Sequence, residues 1–479
     1  MVSPFVIAAL AAAAVFYTRS LWIAGFLAAV PLLPGFKRIR GLFLCWGLPA
    51  LYLGLCTGFL ALQGMDAPAP GLPTDSIAAL KGTLLDDPRS FSGMSRSPGQ
   101  ERGMAYVKLE ETEALLPGTG GVRSSARGRL PVFFPPGTMD RLRDFGRGAK
   151  LYVEGRFLAD PSGSGEVPFN ARSVHIARAA PPLEILRTTL RLAILRRMGE
   201  KPWGGLAAAL LLGSRENLEG DLARAYRDAG LSHILALSGM HLAFLSALLA
   251  LALKRPLGKR GALGAGLGFI LLYVLLVGPQ PSLVRAAIMY VMGTCLVLSG
   301  TVRQPLAMLG AAFLIQLLAD PPSALGISFI LSYLALGGIL ILSGPLETLF
   351  RGPLPSPAAS GVAASLGAFI ATAPAVAAFF TLLRPVGIAA GFIAVPLSSG
   401  FMALAIPAAL DLPLAGPPLD RILSLWQGVL KTAISFFSQA PALKATLPVL
   451  WVFSATACAG IVFFAHRLTR RRAYLAPFA

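Results

Sequence analysis

From about residue 229 onward the chain is almost continuously apolar, in runs about 17–22 residues long. A helix rises 1.5 Å per residue, so runs of this length match the ~30 Å hydrocarbon layer of a bilayer. Candidate spans lie at about 231–253, 261–278, 285–300, 305–319, 324–343, 361–383, 390–410 and 446–466. The stretch "SLWQGVLKTAISFFSQA" is ambiguous, because Lys431 interrupts it. Near the N-terminus three more apolar runs occupy about 2–17, 21–33 and 41–62, and the first is taken as a retained helix. With 55% hydrophobic and 14% charged residues, a soluble globule of this length is excluded. The expected fold is a polytopic α-helical membrane protein with about 10–12 transmembrane helices.

Charge orients it. The loop "FKRIRG" carries Lys37, Arg38 and Arg40, and "KRPLGKR" and "HRLTRRR" are similarly basic. The positive-inside rule puts all three in the cytoplasm, which sends the segment after the third run to the outer face. The net charge of +19 fits this topology and anionic lipid, and also a polyanionic partner. Cys45, Cys56, Cys295 and Cys458 have no metal-ligand spacing and are expected to be small core residues.

Residues 66–180 differ in kind. Their charge is nearly balanced, and strand-like patches alternate with turn signals: "SIAALKGTLL", "MAYVKLEE", "RGRLPVFF", "AKLYVEGRFLAD" and "ARSVHIARA". A short helix, "TMDRLRDFG", lies between the third and fourth. Five strands with a helix there fit a small OB-like β-barrel, although other small β-folds share the pattern. Tyr106, Tyr152 and Phe157 are candidate DNA-contacting aromatics, because bases stack on rings; inward-facing core positions would show the same alternation. Four regions follow: 1–65 with N-terminal transmembrane helices, 66–180 as the OB-like extracytoplasmic β domain, 181–230 as amphipathic interfacial helices, and 231–479 as a polytopic membrane domain. In the third region Arg187, Arg191, Arg196 and Arg197 alternate with Leu and Ile, and Leu218, Leu222 and Tyr226 share a face behind Ser214, a candidate N-cap.

The segment "AGLSHILALSGMHLAFLSALLALAL" is too polar in its first half for a lipid-facing helix. On a continuous helix His233, Ser238 and His241 share one arc of roughly 140°. Such groups are costly in lipid, so the arc faces protein or water. Gly239 and the serines suit close helix packing, but the same residues suit a wet path with a broken helix near Ser238-Gly239. Arg285, at the mouth of a span after Pro281, is either an interfacial anchor or a guanidinium that meets phosphate. Ser328 and Ser332 share a face, and Pro374, Pro396 and Pro407 lie within spans.

The stretch "AALLLGSRENLEGDLARAYRDAGLSHILALSGMHLAFLSALL" resembles the start of the membrane domain of ComEC-type competence proteins. "PSLVRAAIM", "DPPSALGISFILSYLALGGIL", "ATAPAVAAFF" and "GFIAVPLSS" resemble later elements of the same family, in the same order. The resemblance is specific around 205–340 and weak in 66–180, where "VPFNARSV" with Asn170 stands in place of a family motif. It implies a channel subunit that moves single-stranded DNA across the bacterial inner membrane during natural transformation. The implied path residues are His233, Ser238, Gly239, His241, Arg285, Ser328 and Ser332. The implied partners are single-stranded DNA, membrane lipid, DNA-receptor and cytoplasmic motor proteins of a competence system, and a separate nuclease. No cofactor, metal or enzymatic activity is expected: the family's metallo-β-lactamase-like nuclease domain has no counterpart here, and His175 and His466 are isolated. The competing functions are a transporter of another anion or small solute and an intramembrane hydrolase using Ser238 with a histidine. The β domain argues against the first, and the want of an orienting carboxylate against the second.

Overall fold

The computed structural model describes residues 4–18, 57, 74–91, 102–116, 119–126, 128–135, 137–138, 142, 146–158, 168–302, 304–380, 382–410 and 416–444. The expected apolar runs at 21–33, 41–62 (Thr57 apart) and 446–466, the basic loop at 36–41, the basic tail, and two thirds of the short helix at 138–146 lie outside these residues. The chain divides into two units, Gln63–Arg196 and the remainder.

The first helix is α1 (Pro4–Thr18), followed by the β unit: β1 (Ile77–Leu84), β2 (Arg89–Phe91), β3 (Arg102–Leu116), β4 (Thr119–Ser125), β5 (Arg129–Phe134), β6 (Lys150–Phe157) and β7 (Phe169–Arg178). The five expected patches are β1, β3, β5, β6 and β7; the short β2 and β4 both pair with β3. Pairing runs β1–β6–β7–β5–β3 and returns to β1. Every one of these pairings is antiparallel except β5–β7, which is parallel. Alternate residues point inward, so Leu80, Val107, Val132, Phe134, Leu151, Val153 and Phe169 form one core. Two glycines sit where the ladders slip. A Cβ at Gly82 would come within 2.4 Å of the Lys108 carbonyl oxygen, and one at Gly155 within 2.1 Å of the Asn170 oxygen. Register shifts fall beside both, so the strands bend most tightly where no side chain stands in the way.

Helix α2 (Pro182–Gly199) follows the sheet. Its arginines do not all face water, as the alternating pattern suggested. The Arg187 side chain is 2% exposed, pairs with both Asp87 carboxylate oxygens, and donates from Nε to Glu184 at 2.7 Å. Arg147 reaches Glu184 as well, at 2.8 Å. Arg196 and Arg197 are exposed, and so are Leu183, Leu186 and Leu190. Arg187→Ala is expected to loosen the β unit by about 3 kcal/mol, since Asp87 and Glu184 lose their shared cation. Faster hydrogen exchange of the β1 and β6 amides in the full-length protein checks this; unchanged exchange counts against it.

The helical unit comprises α3 (Gly204–Leu212), α4 (Gly220–Asp228), α5 (Ser232–Leu235), α6 (Gly239–Val277), α7 (Pro281–Leu298), α8 (Pro305–Ala319), α9 (Pro321–Ala324), α10 (Ile327–Phe350), α11 (Ser356–Phe380), α12 (Gly387–Ala409) and α13 (Pro417–Ser438). Helix α6 is bent at Gly258, where φ is 66°, so it holds two span-length pieces, Gly239–Gly258 and Arg260–Val277. With α7, α10, α11 and α12, six helices among the described residues are long and apolar enough to cross a membrane. The run at 305–319 is a helix, but its 15 residues reach only ~22 Å. The ambiguous 424–440 stretch belongs to α13, which buries Leu423, Gln427, Leu430 and Ile434 and pairs Lys431 with Glu219.

Leu251, Leu271, Leu272, Phe379, Phe380, Phe392 and Ile393 remain exposed on these helices, which suits hydrocarbon rather than water. Cys295 is also exposed, on α7, and not in a core as expected. Leu218, Leu222 and Tyr226 are buried together, as their spacing predicts, but α4 begins after Glu219 and not at Ser214. Pro374, Pro396 and Pro407 stay within single helices.

Candidate functional site: a helix break beside a buried cation

Helix α4 ends at Asp228, where Arg384 donates to its main-chain carbonyl at 2.6 Å and to its carboxylate at 2.9 Å. That cation offsets the negative end of the helix. Gly230, at φ 73°, turns the chain into the single turn α5. The helix then stops. Ala236 and Ser238 are extended, with ψ of 133° and 158°, and α6 starts at Gly239. A break leaves main-chain groups without helical partners, which in lipid is tolerated only where protein or water satisfies them. Here Ser282 of α7 supplies a replacement, donating to the Leu237 carbonyl at 2.6 Å.

The break puts His233 and His241 on different helices, and they differ in burial: His233 is exposed, while His241 is 1% exposed. Both ring nitrogens of His241, and the Ser238 hydroxyl, are buried without a hydrogen-bond partner. Ser238 and His241 are therefore not joined as nucleophile and base.

Arg285 lies against the start of α6. Its Nη2 is 3.0 Å from the point where a Cβ on Gly239 would stand, as is the Ala286 Cβ, so a side chain at 239 would crowd both. The residue is 8% exposed. Its Nη1 donates to the Ser332 carbonyl of α10, its guanidinium carbon lies 5.7 Å from the centre of the Tyr333 ring, and its Nε has no partner. Among the described residues no carboxylate pairs with it. The Ser332 hydroxyl is also buried and unpartnered, whereas Ser328, one turn away, is exposed.

Two residues that sequence reasoning missed complete the cluster. Tyr333 donates to the Gln316 side-chain oxygen at 3.0 Å, and the Gln316 amide donates to the Pro281 carbonyl at 3.1 Å. Gln316 is 4% exposed, inside the apolar helix α8. A glutamine within "LAMLGAAFLIQLLA" was the available signal.

The aromatic candidates lie in the β unit. Phe157 packs edge-to-face on Phe169, with centroids 5.2 Å apart, and joins the core. Tyr152 is half-buried and donates to Glu113 at 3.0 Å; burial and then that hydrogen bond push its phenol above the usual range. Tyr106 is half-buried on β3. Among the described residues no group of three or more His, Cys, Asp or Glu is placed to hold a metal.

A bundle of apolar spans that encloses a broken helix and an unneutralised cation defines a polytopic membrane protein with a polar interior. The chain belongs to the Competence protein family, whose profile matches residues 210–472, more than half of its length. Over 146 residues it is 33% identical to "ComE operon protein 3" of Bacillus subtilis (strain 168), which covers 30% of this chain but only 18% of that protein. It is 27% identical over 321 residues to an "Uncharacterized protein" of Aquifex aeolicus (strain VF5), covering 64% of this chain and 74% of that one. No solved structure matches.

Proposed function

We propose that this chain is the channel subunit that carries single-stranded DNA across the bacterial inner membrane during natural transformation. The carrying observation is the break at 236–238, where buried polar groups stand without partners inside an apolar bundle. Membership in the Competence protein family and similarity to a ComE operon protein support DNA as the cargo. His233, Ser238, Gly239, His241, Arg285, Ser328 and Ser332 are its proposed path residues. We further propose that the β unit is an OB-like barrel on the outer face. The support is its pairing circuit, which returns to β1, and the parallel β5–β7 pair within it. Tyr106, Tyr152 and Phe157 are its proposed base-stacking residues, and the proposed partners are receptor, motor and nuclease proteins encoded separately. Catalysis is not part of this function.

The test is uptake of labelled duplex DNA in a strain that lacks the gene. Restoring the gene is expected to restore nuclease-protected, single-stranded label in the cytoplasm. Normal DNA entry without the gene, accompanied by loss of flux of a small anion, would favour a solute transporter instead.

A further inference from the structure

We propose that the start of α6 and Arg285 form a binding site for one phosphate group, and that Tyr333 and Gln316 are positioning residues that hold the guanidinium for it. The identity of the phosphate as a DNA phosphodiester rests on the transport reading; the site itself rests on the following geometry.

The first N–H groups of a helix have no intrahelical acceptor and carry its partial positive charge. At α6 the Ser238 side chain does not cap them. A guanidinium is pressed against that same end, at Gly239. Positive next to positive is unfavourable until an anion lies between them. A buried cation is ordinarily paired with a carboxylate, and among the described residues Arg285 has none.

Its actual partners orient without neutralising. The Ser332 carbonyl is a neutral acceptor, and the Tyr333 ring offers only its quadrupole. The ring is itself fixed through its hydroxyl by Gln316, and Gln316 by the Pro281 carbonyl at the first residue of α7. The guanidinium is thus held on two sides with its full charge available. Its Nε has no acceptor, and neither do the buried hydroxyls of Ser238, which precedes Gly239 in the chain, and of Ser332, whose carbonyl accepts from Arg285. Unpartnered donors on residues that adjoin a buried cation suit an oxyanion, and a planar fork meets two of its oxygens at once.

Within a membrane such a group comes either from nucleic acid or from a lipid headgroup. Full-length protein in an uncharged, phosphate-free detergent can be titrated with fluorescent oligothymidylate, with its uncharged methylphosphonate analogue, and with short-chain phosphatidylglycerol. Oligothymidylate is expected to bind and the analogue not to. Arg285→Gln should weaken binding about tenfold or more and Arg285→Lys less. Tyr333→Leu should weaken it about as much as Arg285→Gln, while Tyr333→Phe, which keeps the ring but loses its bond to Gln316, should recover only part of the affinity; a purely structural role for the tyrosine would not give that graded recovery at equal thermal stability. Binding of phosphatidylglycerol alone, lost in Arg285→Gln, would keep the phosphate site and remove DNA as its ligand. Equal binding by wild type and Arg285→Lys, Tyr333→Leu and Arg285→Gln overturns the proposal. So does equal binding of oligothymidylate and its uncharged analogue, which needs no variant to fold.

Discussion

Gly338→Leu is expected to leave almost no folded protein in the membrane, while Gly344→Leu, further along the same helix, accumulates normally. A Cβ at 338 would stand 2.4 Å from the Gly367 carbonyl oxygen and 2.5 Å from the Ala371 Cβ. The reciprocal position is nearly as tight: a Cβ at Gly367 would be 3.0 Å from the Gly338 carbonyl oxygen. Helices α10 and α11 therefore touch main chain to main chain. Lipid tails are as apolar as leucine, so close packing and not water exclusion holds such helices together. Overpacking a core whose side chains can yield costs about 1–3 kcal/mol. Here the obstruction includes backbone, which yields less. At Gly344 nothing lies within 4 Å of the added atom. Size-exclusion profiles of the two variants in detergent decide the matter; a monodisperse Gly338→Leu peak at wild-type yield would refute the contact.

His241→Leu is expected to leave folded protein at or above the wild-type level and to reduce DNA uptake per folded molecule at least tenfold. The two halves have separate grounds. The imidazole is 1% exposed, and neither nitrogen has a hydrogen-bond partner, so leucine deprives no neighbour of a bond. Replacing a buried unsatisfied polar group by an apolar one of similar size is close to neutral or stabilising. A residue that costs stability and returns no bond in the resting protein is explained by what passes it. Under the proposed function, His241 and Ser238 at the same break are residues that the strand would pass. Uptake is normalised to folded protein by fluorescence-detected chromatography. Wild-type uptake per folded molecule would make the histidine a packing residue and remove it from the path.

The β unit was legible because burial on one face imposes strict alternation: Leu151 and Val153 in β6 or Val107 and Leu109 in β3 announce themselves. The glycine-rich β4, paired with β3, has no such pattern to show. In the helical unit, length and apolarity revealed the spans. The break near Ser238-Gly239 was readable as an excess of polarity, and the Gly258 bend falls in the basic "KRPLGKR" stretch that separates the candidate spans at 231–253 and 261–278. The site was only half legible. Arg285 stood out as a charge at the mouth of a span. Its supports did not, because Gln316 and Tyr333 are single residues on two other helices, and no spacing within either helix links them to Arg285. The break that this polarity suggested puts His233 and His241 on different elements. The buried role of Arg187 was hidden for a similar reason: its partner Asp87 is remote in the chain.

The break and the cation also bear on how the protein is made. The two helices that carry them, the first half of α6 and α7, are the least apolar of the six candidate spans. An arginine near the middle of a membrane helix opposes its entry into lipid by about 2.5–3.5 kcal/mol, less toward the ends. Neither helix is well suited to leave the insertion machinery alone. Ser332 and Tyr333, which receive Arg285, are synthesised later, on α10. Between those moments the nascent α6–α7 pair carries a charge without the two groups that later receive it, so correct insertion of this part of the chain depends on a helix made after it.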